Sequence, residues 1–244
     1  MEKNPIYQFW WQGIENAPDI VKVCNSSLLK NYNDKTQKLI ILDKNNLFDY
    51  ITFPEYIMDK FNRGMISITH LSDLARVMLL EQTGGLWVDA TMFFNRPIND
   101  RLFSKRFFTI KNPSANSKSI TSKWECFLIG GEKNFPLFSL IKEMWLEYWK
   151  NEDMLIDYLL TDNIFYIGYT ENEDIRKILD SCPTFHYRID WCQRFMNSKY
   201  DRKQFETICE NEEFIKLTYK GKLEKMTSKG ETTLYGHLIK EYLL

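Results

Sequence analysis

One stretch of the sequence, residues 72–91, constrains the fold more than any other. It reads as an amphipathic helix, a pair of glycines and a short apolar strand that ends on a carboxylate. An apolar stripe recurs at helical spacing on one side of the predicted helix, at Leu71, Leu74, Ala75 and Met78. Asp73 and Arg76 lie three residues apart on another side. Gly84 and Gly85 supply the backbone freedom for a helix end and a turn.

The lengths of this helix and strand predict where the charged side chains meet. From Arg76 to Gly84 the helix rises about 12 Å, at about 1.5 Å per residue. From Gly85 to Asp89 the strand returns about 13 Å, at about 3.3 Å per residue. Asp89 is therefore expected level with Arg76 and within one turn of Asp73. The alternative interpretation is a surface Asp–Arg pair on the helix and an unrelated aspartate in a turn.

Strand-like and helical segments alternate as far as residue 94, which is the pattern of an α/β protein with a mostly parallel sheet. The predicted strands are 6–11, 38–43, 85–89, 106–110, 124–129 and 214–219. The predicted helices begin at Pro18, Pro54 and Pro136 or cover 72–83, 154–160 and 234–239, and 112–122 is expected to be a loop. If the sheet is open, its ligands bind at the carboxyl edge of the strands.

Composition excludes several classes of protein. The chain has 244 residues, 44% of them hydrophobic, which suffices for a sizeable core. Its 32 basic and 33 acidic residues give a net charge of −1, so a nucleic-acid partner is not expected. No apolar run approaches the roughly 20 residues that span a bilayer. Five widely spaced cysteines and the absence of a secretory segment at the start indicate a cytoplasmic protein with reduced thiols.

The common catalytic motifs are absent from the sequence. There is no phosphate-binding P-loop, no dinucleotide-binding glycine motif, no G-x-S-x-G elbow and no H-E-x-x-H helix. With three histidines, His70, His186 and His237, a histidine-built metal site is not expected. Cys126 is predicted in the middle of a strand, as a buried small hydrophobic residue.

Three segments together resemble a known family. They are Trp11-Gln12-Gly13 after the first strand, Ser72-Asp73-x-x-Arg76 on the helix, and Gly84-Gly85-Leu86-Trp87-Val88-Asp89-Ala90-Thr91. In this order and spacing they resemble the capsular polysaccharide synthesis proteins. These are similar to sugar transferases with a D-x-D motif, such as glycosyltransferase family 32 and the large clostridial glucosylating toxins. The resemblance is strongest over residues 6–95.

This resemblance implies a GT-A-like fold, a Rossmann-type mostly parallel sheet flanked by helices, with a mixed α+β C-terminal part. Residues 1–244 would form one glycosyltransferase domain, with a nucleotide-sugar half at 1–95 and the acceptor side at 96–244. Trp11, Gln12 and Gly13 would then lie near the base and ribose of the donor. Asp73 and Arg76 would bind the ribose, the donor sugar or the diphosphate.

Asp89 matches the first aspartate of the D-x-D motif, and the position of the second is Thr91. The resemblance implies a divalent cation, Mn²⁺ or Mg²⁺, held by Asp89 and Thr91 to stabilise charge on the leaving diphosphate. A threonine hydroxyl brings no charge, so this site would be weak. Either other groups complete it, or the metal contributes less and Lys216 or Lys220 assists.

Two further acids are candidate catalytic groups in addition to Asp89. Asp157 and Asp162 are candidates for the acceptor side, although both also fit helix-end or surface acids. By analogy with the D-x-D enzymes, the reaction is expected to retain the configuration of the sugar. Gly85, Trp124 and Lys216 complete the predicted substrate-binding set, with a core role equally open for Trp124.

The partners implied are a nucleotide-sugar donor, with uracil the expected base, and an oligosaccharide acceptor, expected to be lipid-linked, at the inner face of a membrane. The C-terminal segment with Leu234, Leu238 and Tyr242 would touch that membrane or, as the simpler interpretation, pack as an ordinary amphipathic helix. A catalytically inactive nucleotide-sugar-binding homologue is the main alternative, raised by Thr91. A nucleotidyltransferase is disfavoured, because Gln12-Gly13-Ile14-Glu15 lacks the basic residues of a phosphate loop.

Overall fold

Three parallel strands form one side of a five-stranded sheet. The computed structural model describes residues 3–112, 123–184 and 191–244. The parallel strands are β1 (Asn4–Phe9), β2 (Gln37–Leu42) and β3 (Gly85–Val88). Ile6 of β1 lies opposite Leu39 on one side and Leu86 on the other. The carboxyl ends of all three strands therefore lie at one edge of the sheet.

Two further strands extend the sheet beyond β3. They are β5 (Phe107–Phe108) and β6 (Leu128–Gly131), and the strand order is β2-β1-β3-β6-β5. Because β6 runs antiparallel to both β3 and β5, it alone is reversed within this five-stranded sheet. The predicted α/β class with a mostly parallel sheet is confirmed.

Helices flank this sheet in the described part of the chain. Those of the first half are α1 (Asp19–Asn31), α2 (Leu47–Tyr50), α3 (Glu55–Asn62) and α4 (Ile68–Thr83). Those that follow are α5 (Pro136–Asn151), α6 (Leu160–Glu171), α7 (Glu173–Ser181), α8 (Trp191–Arg194), α9 (Arg202–Asn211) and α10 (Leu234–Leu243). Short 3-10 helices cover Ile14–Asn16 and Asp100–Ser104.

The predicted helix–turn–strand unit is α4 followed by β3. Ser67 caps the start of α4, because its hydroxyl accepts a hydrogen bond from the His70 N–H. Gly84, with φ 68°, ends the helix. Gly85, with φ 101°, approaches the first strand so closely that a Cβ there would overlap the carbonyl oxygen of Pro5. The two glycines thus let β3 pair directly with β1.

A second, two-stranded sheet joins the C-terminal part to the end of β3. It pairs β4 (Met92–Phe94) antiparallel with β7 (Phe214–Lys216), and Met92 lies opposite Lys216. The Asn95 amide, next to β4, donates to the carbonyl of Glu212 at 2.6 Å. This pairing brings Lys216 near the residue that ends β3. With α9 and α10, it forms the mixed α+β C-terminal part that was expected.

The C-terminal helix is a packing helix, the simpler of the two interpretations above. Leu234 and Leu238 are buried, and α10 packs against α1. Tyr242 is half-buried, with its ring edge against Phe93 at 5.1 Å. In residues 3–112, 123–184 and 191–244, no helix is both long enough and apolar enough to cross a membrane.

Several predicted elements differ from the structure. The helix expected over 154–160 is wrong, because α6 begins at Leu160 and the segment before it is irregular. The Tyr148 hydroxyl hydrogen-bonds there to the Met154 carbonyl and to the Ile156 N–H. The strand predicted over 124–129 is shifted to Leu128–Gly131. The predicted loop lies outside the described residues from 113 to 122.

Candidate functional site

Asp89 comes directly after β3, at the carboxyl edge of the parallel strands. Its backbone N–H donates to the Phe127 carbonyl at 2.8 Å, which fixes the turn. The Trp87 indole Nε1 donates to Oδ1 of Asp89 at 2.9 Å. The Asp89 side chain remains 28% exposed, so it is held by its neighbours and still open to a ligand.

Arg76 joins the two predicted carboxylates. Its Nη2 lies 3.1 Å from Oδ1 of Asp73 and 3.3 Å from Oδ1 of Asp89. Its guanidinium also lies over the Trp87 ring, 5.2 Å from the centroid. The Arg76 side chain is 7% exposed, so the alternative of a surface ion pair is wrong. The convergence predicted from element lengths is confirmed.

Lys216 completes the set of charges around Asp89. Its Nζ lies 2.8 Å from Oδ2 of Asp89 and 4.8 Å from the centroid of the Phe127 ring. Each Asp89 oxygen is therefore paired with a cation, Oδ1 with Arg76 and Oδ2 with Lys216. Lys220, the other lysine considered from the sequence, is exposed, and its backbone N–H donates to the Thr218 hydroxyl.

The two carboxylates beside Arg76 have opposite pKa shifts. Burial alone would raise the pKa of Asp89, but the charges of Lys216 and Arg76 and the hydrogen bonds from Lys216 and Trp87 lower it to about 2. Burial raises the pKa of Asp73 to about 6; the Arg76 charge opposes this, and the charges of Asp89 and Asp162 add to it. The pKa of Asp89 thus lies below that of an ordinary aspartate, whereas the pKa of Asp73 lies above it.

Asp162, on the first turn of α6, lies beside these charges. Its Oδ1 accepts a hydrogen bond from the Cys126 thiol at 3.6 Å. Burial raises the pKa of Asp162 to about 6, and the nearby Asp157 adds to this, while the Cys126 hydrogen bond and the Arg76 charge oppose it. Cys126 is half-buried in the turn before β6, so its predicted place within a strand is wrong.

Asp157 has a different role from Asp162. It is exposed; its Oδ1 accepts from the Leu159 N–H at 2.9 Å and its Oδ2 from the Asn163 amide at 3.2 Å. These bonds stabilise the chain where it enters α6. Of the two predicted acceptor-side acids, Asp162 is near the paired charges and Asp157 supports the helix start.

The segment after β1 lies at the same edge of the sheet as Asp89. A row of packed rings runs from Trp11 through Phe9 to Trp87, with centroid distances of 6.2 and 6.3 Å. Gln12 is exposed, and Gly13 is buried with φ 85°. Of the three predicted base-binding residues, Trp11 is thus connected by aromatic packing to the tryptophan that donates to Asp89.

Two predicted substrate-binding residues have packing contacts that account for them. Gly85 is at the amino end of β3, against Pro5, so close strand packing accounts for the glycine. Trp124 is buried in the core, with its ring 5.0 Å from that of Tyr169 and 6.3 Å from that of Phe165. The structure therefore separates Gly85 from the site and gives Trp124 its core role.

The donor atoms around Asp89 do not fit a divalent cation. Thr91 is buried, and its carbonyl accepts the Leu217 N–H at 2.9 Å. Both Asp89 oxygens are paired with protein cations. Among the residues that the structure describes, no three His, Cys, Asp or Glu side chains are grouped to hold a metal ion. The Mn²⁺ or Mg²⁺ expected from the sequence stays a prediction.

Tyr158 lies near the candidate site, and no pattern in the sequence indicated it. Its ring lies edge-to-face against His70, 5.6 Å away, while the residue is 61% exposed. Burial raises the pKa of its hydroxyl, and the charges of Asp73 and Asp89 raise it further. An exposed ring therefore lies within electrostatic range of the two carboxylates. The helix that the sequence predicts over 154–160 does not place the Tyr158 ring near these carboxylates.

Comparison with known proteins gives one family and several distant structures. The sequence profile of the family described as Capsular polysaccharide synthesis protein matches residues 1–238. A curated relative, Uncharacterized glycosyltransferase L373 of Acanthamoeba polyphaga mimivirus, is 26% identical over 154 residues, covering 60% of this chain and 57% of its own length. The chain thus spans little more than half of that relative.

Two solved structures can be superposed on the chain. PaToxG Glycosyltransferase has 17% identity and a TM-score of 0.47, over 73% of this chain and 72% of that one. The glycosyltransferase GlyE of Streptococcus pneumoniae TIGR4 has 10% identity and a TM-score of 0.49, over 99% of this chain and 60% of that one.

Proposed function

The chain belongs to the capsular polysaccharide synthesis protein family, and we propose that it is a glycosyltransferase acting on a nucleotide diphosphate sugar. The transferred sugar goes to a glycan acceptor in the synthesis of a surface polysaccharide. The observation that supports this most directly is the Asp89 carboxylate held between Arg76 and Lys216 at the carboxyl edge of a parallel sheet.

The chemistry of sugar transfer needs such a site. The bond from the anomeric carbon to the diphosphate oxygen breaks, a new bond forms to an acceptor oxygen, and the acceptor proton is released. Negative charge develops on the departing diphosphate, and a nearby cation stabilises it. Carboxylates accept hydrogen bonds from sugar hydroxyls. Arg76 and Lys216 supply the cations, and Asp73 and Asp89 supply the acceptors.

We assign the remaining residues by their position relative to these charges. Trp11, Gln12 and Gly13 bind the base and ribose, with uracil the proposed base. We assign Asp162 to the acceptor side, because it lies near the Arg76 charge and takes no part in the ion pairs of Asp89. The family resemblance supports retention of sugar configuration and a lipid-linked acceptor at the cytoplasmic face of a membrane.

Thr91 favours one alternative, a homologue that binds nucleotide sugars without transferring them. Thr91 occupies the second motif position, so this position has no carboxylate, and its side chain is buried. Both functions require the chain to bind a nucleotide sugar, but only the transferase converts it to products.

A screen of nucleotide sugars by thermal shift tests the proposal, because a ligand that binds the folded chain raises its melting temperature. The donors that raise it are then assayed for release of free nucleoside diphosphate and for transfer to glycan acceptors. Binding with turnover supports the transferase. Binding without turnover, across acceptors and metals, supports the inactive homologue, and a folded chain that binds no nucleotide sugar contradicts both.

A further inference from the structure

We propose that Lys216 is the fixed cation of this site and that the diphosphate of the donor binds without a divalent metal. This inference rests on the proposed function and concerns how the same site recognises phosphate. It assigns to one side chain the charge that a metal ion supplies in a D-x-D enzyme.

The first argument is that Lys216 already pairs with the Asp89 oxygen that a metal would use. Its Nζ is 2.8 Å from Oδ2 of Asp89. A Mg²⁺ ion binds carboxylate oxygen at about 2.1 Å, so an ion on Oδ2 would lie beside the ammonium and be opposed by like-charge repulsion. The other oxygen of Asp89 already accepts from Arg76 and from the Trp87 indole.

The second argument is that the fold holds Lys216 in place. Its backbone belongs to β7, opposite Met92 of β4. Its ammonium lies over the Phe127 ring, and Phe127 also accepts the backbone N–H of Asp89. A lysine fixed at both ends loses less conformational freedom on binding a ligand than a free surface lysine does.

The third argument concerns the donors that remain for phosphate. An ammonium has three N–H donors, and Asp89 takes one of them. The Lys216 side chain is 17% exposed, so a ligand can reach the others. Arg76 is more deeply buried, and the same Nη2 serves both Asp73 and Asp89. Of the two cations on Asp89, Lys216 is the one suited to meet an incoming diphosphate.

Calorimetric binding of UDP and of uridine to the whole chain tests this inference. Each titration is run in excess EDTA and again in millimolar MnCl₂. The affinity ratio of UDP to uridine measures recognition of the diphosphate alone. If Lys216 is the cation, the UDP affinity in EDTA stays within about threefold of that in MnCl₂. A larger loss in EDTA overturns the inference and leaves the proposed function standing.

Variants then identify the residue. We expect Lys216→Met to lower the UDP-to-uridine ratio in EDTA by about fivefold or more, since a charge-assisted contact is lost. Lys216→Arg keeps the charge and should retain more of the ratio than Lys216→Met does. Lys229→Met, at an exposed lysine of the same C-terminal part, is the matched control and should leave the ratio unchanged.

The outcomes separate the two proposals. A Lys216→Met ratio that falls less than about fivefold overturns the role of Lys216. If that variant does not fold, as seen by its melting curve, the wild-type comparison of EDTA with MnCl₂ decides the question. If the folded wild-type chain binds neither UDP nor GDP, CDP or dTDP in either condition, the proposed function fails, and this inference fails with it.

Discussion

Lys216 and Asp89 are separated by 127 positions in the sequence, and their side chains meet at 2.8 Å. Asp89 directly follows a central strand of the main sheet, whereas Lys216 ends a strand of the small sheet. The ion pair therefore connects the two parts of the fold at the edge where ligands are expected. The predictions below concern the groups that hold this pair.

Replacing Asp89 by Asn should abolish sugar transfer and leave the fold intact. The amide keeps the shape of the side chain but removes the charge that Arg76 and Lys216 share. We expect activity to fall at least about 100-fold, measured as product formed with a donor selected by the thermal-shift screen. Asp43→Asn is the control, because Asp43 follows β2 at the same sheet edge, where its carboxylate caps a local turn. A fully active Asp89→Asn chain would contradict the proposed function.

The raised pKa of Asp73 predicts how stability depends on pH. Its pKa is about 6 in the folded chain against an ordinary 3.8, so the folded chain binds more protons between these values. The free energy of unfolding therefore falls as pH rises through this window. Asp73→Asn removes that slope. The variant should gain stability relative to wild type from pH 4 to 7, by on the order of 2 kcal/mol.

Urea unfolding at several pH values measures this difference. Loss of the ion pair with Arg76 shifts the Asp73→Asn curve by an offset, so the change with pH is the quantity to compare. Asp162→Asn is the matched comparison and should behave in the same direction, because burial also raises the pKa of Asp162. Parallel curves for wild type and Asp73→Asn would refute the prediction.

Trp87→Phe tests whether the indole positions Asp89. The variant keeps an aromatic ring in the core and loses the Nε1 donor to Oδ1. We expect activity to fall about tenfold, because the Asp89 carboxylate is less well oriented without this hydrogen bond. Trp145→Phe is the control, since its indole donates to the Thr161 hydroxyl inside the core. Equal losses of activity in the two variants would argue for a general packing effect.

Asp157→Ala and Asp162→Asn separate the two predicted acceptor-side acids. Asp157 supports the start of α6, so loss of its carboxylate in Asp157→Ala should cost about 0.5–2 kcal/mol of stability and leave the activity per folded molecule unchanged. Asp162 lies beside Arg76, so its variant should lose activity and keep most of its stability. Initial rates and melting curves on the same preparations check both. The reverse pattern would move the acceptor-side role to Asp157.

Gly85→Ala examines whether Gly85 serves the sheet or the ligand. The new Cβ would overlap the Pro5 carbonyl at a backbone φ of 101°, so we expect a loss of about 3 kcal/mol or more. Gly64→Ala is the control, because Gly64 has φ 76° and open space around it, and it should lose about 1 kcal/mol. Weakened nucleotide binding by a stable Gly85→Ala chain would restore the binding role.

The sequence was most informative where the chain contacts itself locally. The rise of α4 and of β3 sufficed to bring Asp73, Arg76 and Asp89 together, because both elements belong to one short unit. The Lys216–Asp89 contact depends on the register of β4 with β7, which no local pattern fixes. The sequence offered Lys216 and Lys220 as alternatives, and the geometry distinguishes them.

The predictions for 154–160 and for Cys126 are wrong because contacts between distant segments determine the structure there. The segment 154–160 has the composition of a helix, yet the Tyr148 hydroxyl bonds to its backbone and leaves Met154 and Ile156 exposed. The contact of Cys126 with Asp162 joins a turn to a helix that starts much later in the chain. Such side-chain contacts between distant segments leave no periodicity in the sequence.

In a newly made chain, Lys216 can reach Asp89 only after β7 has paired with β4. The ribosome completes Asp73, Arg76 and Asp89 long before Lys216 emerges. Until the small sheet forms, two carboxylates share a single guanidinium at the sheet edge. Formation of this long-range contact is slow compared with local helix formation. With the proposed role of Lys216, a chain whose C-terminal part has not yet docked lacks the ammonium that is to meet the phosphate.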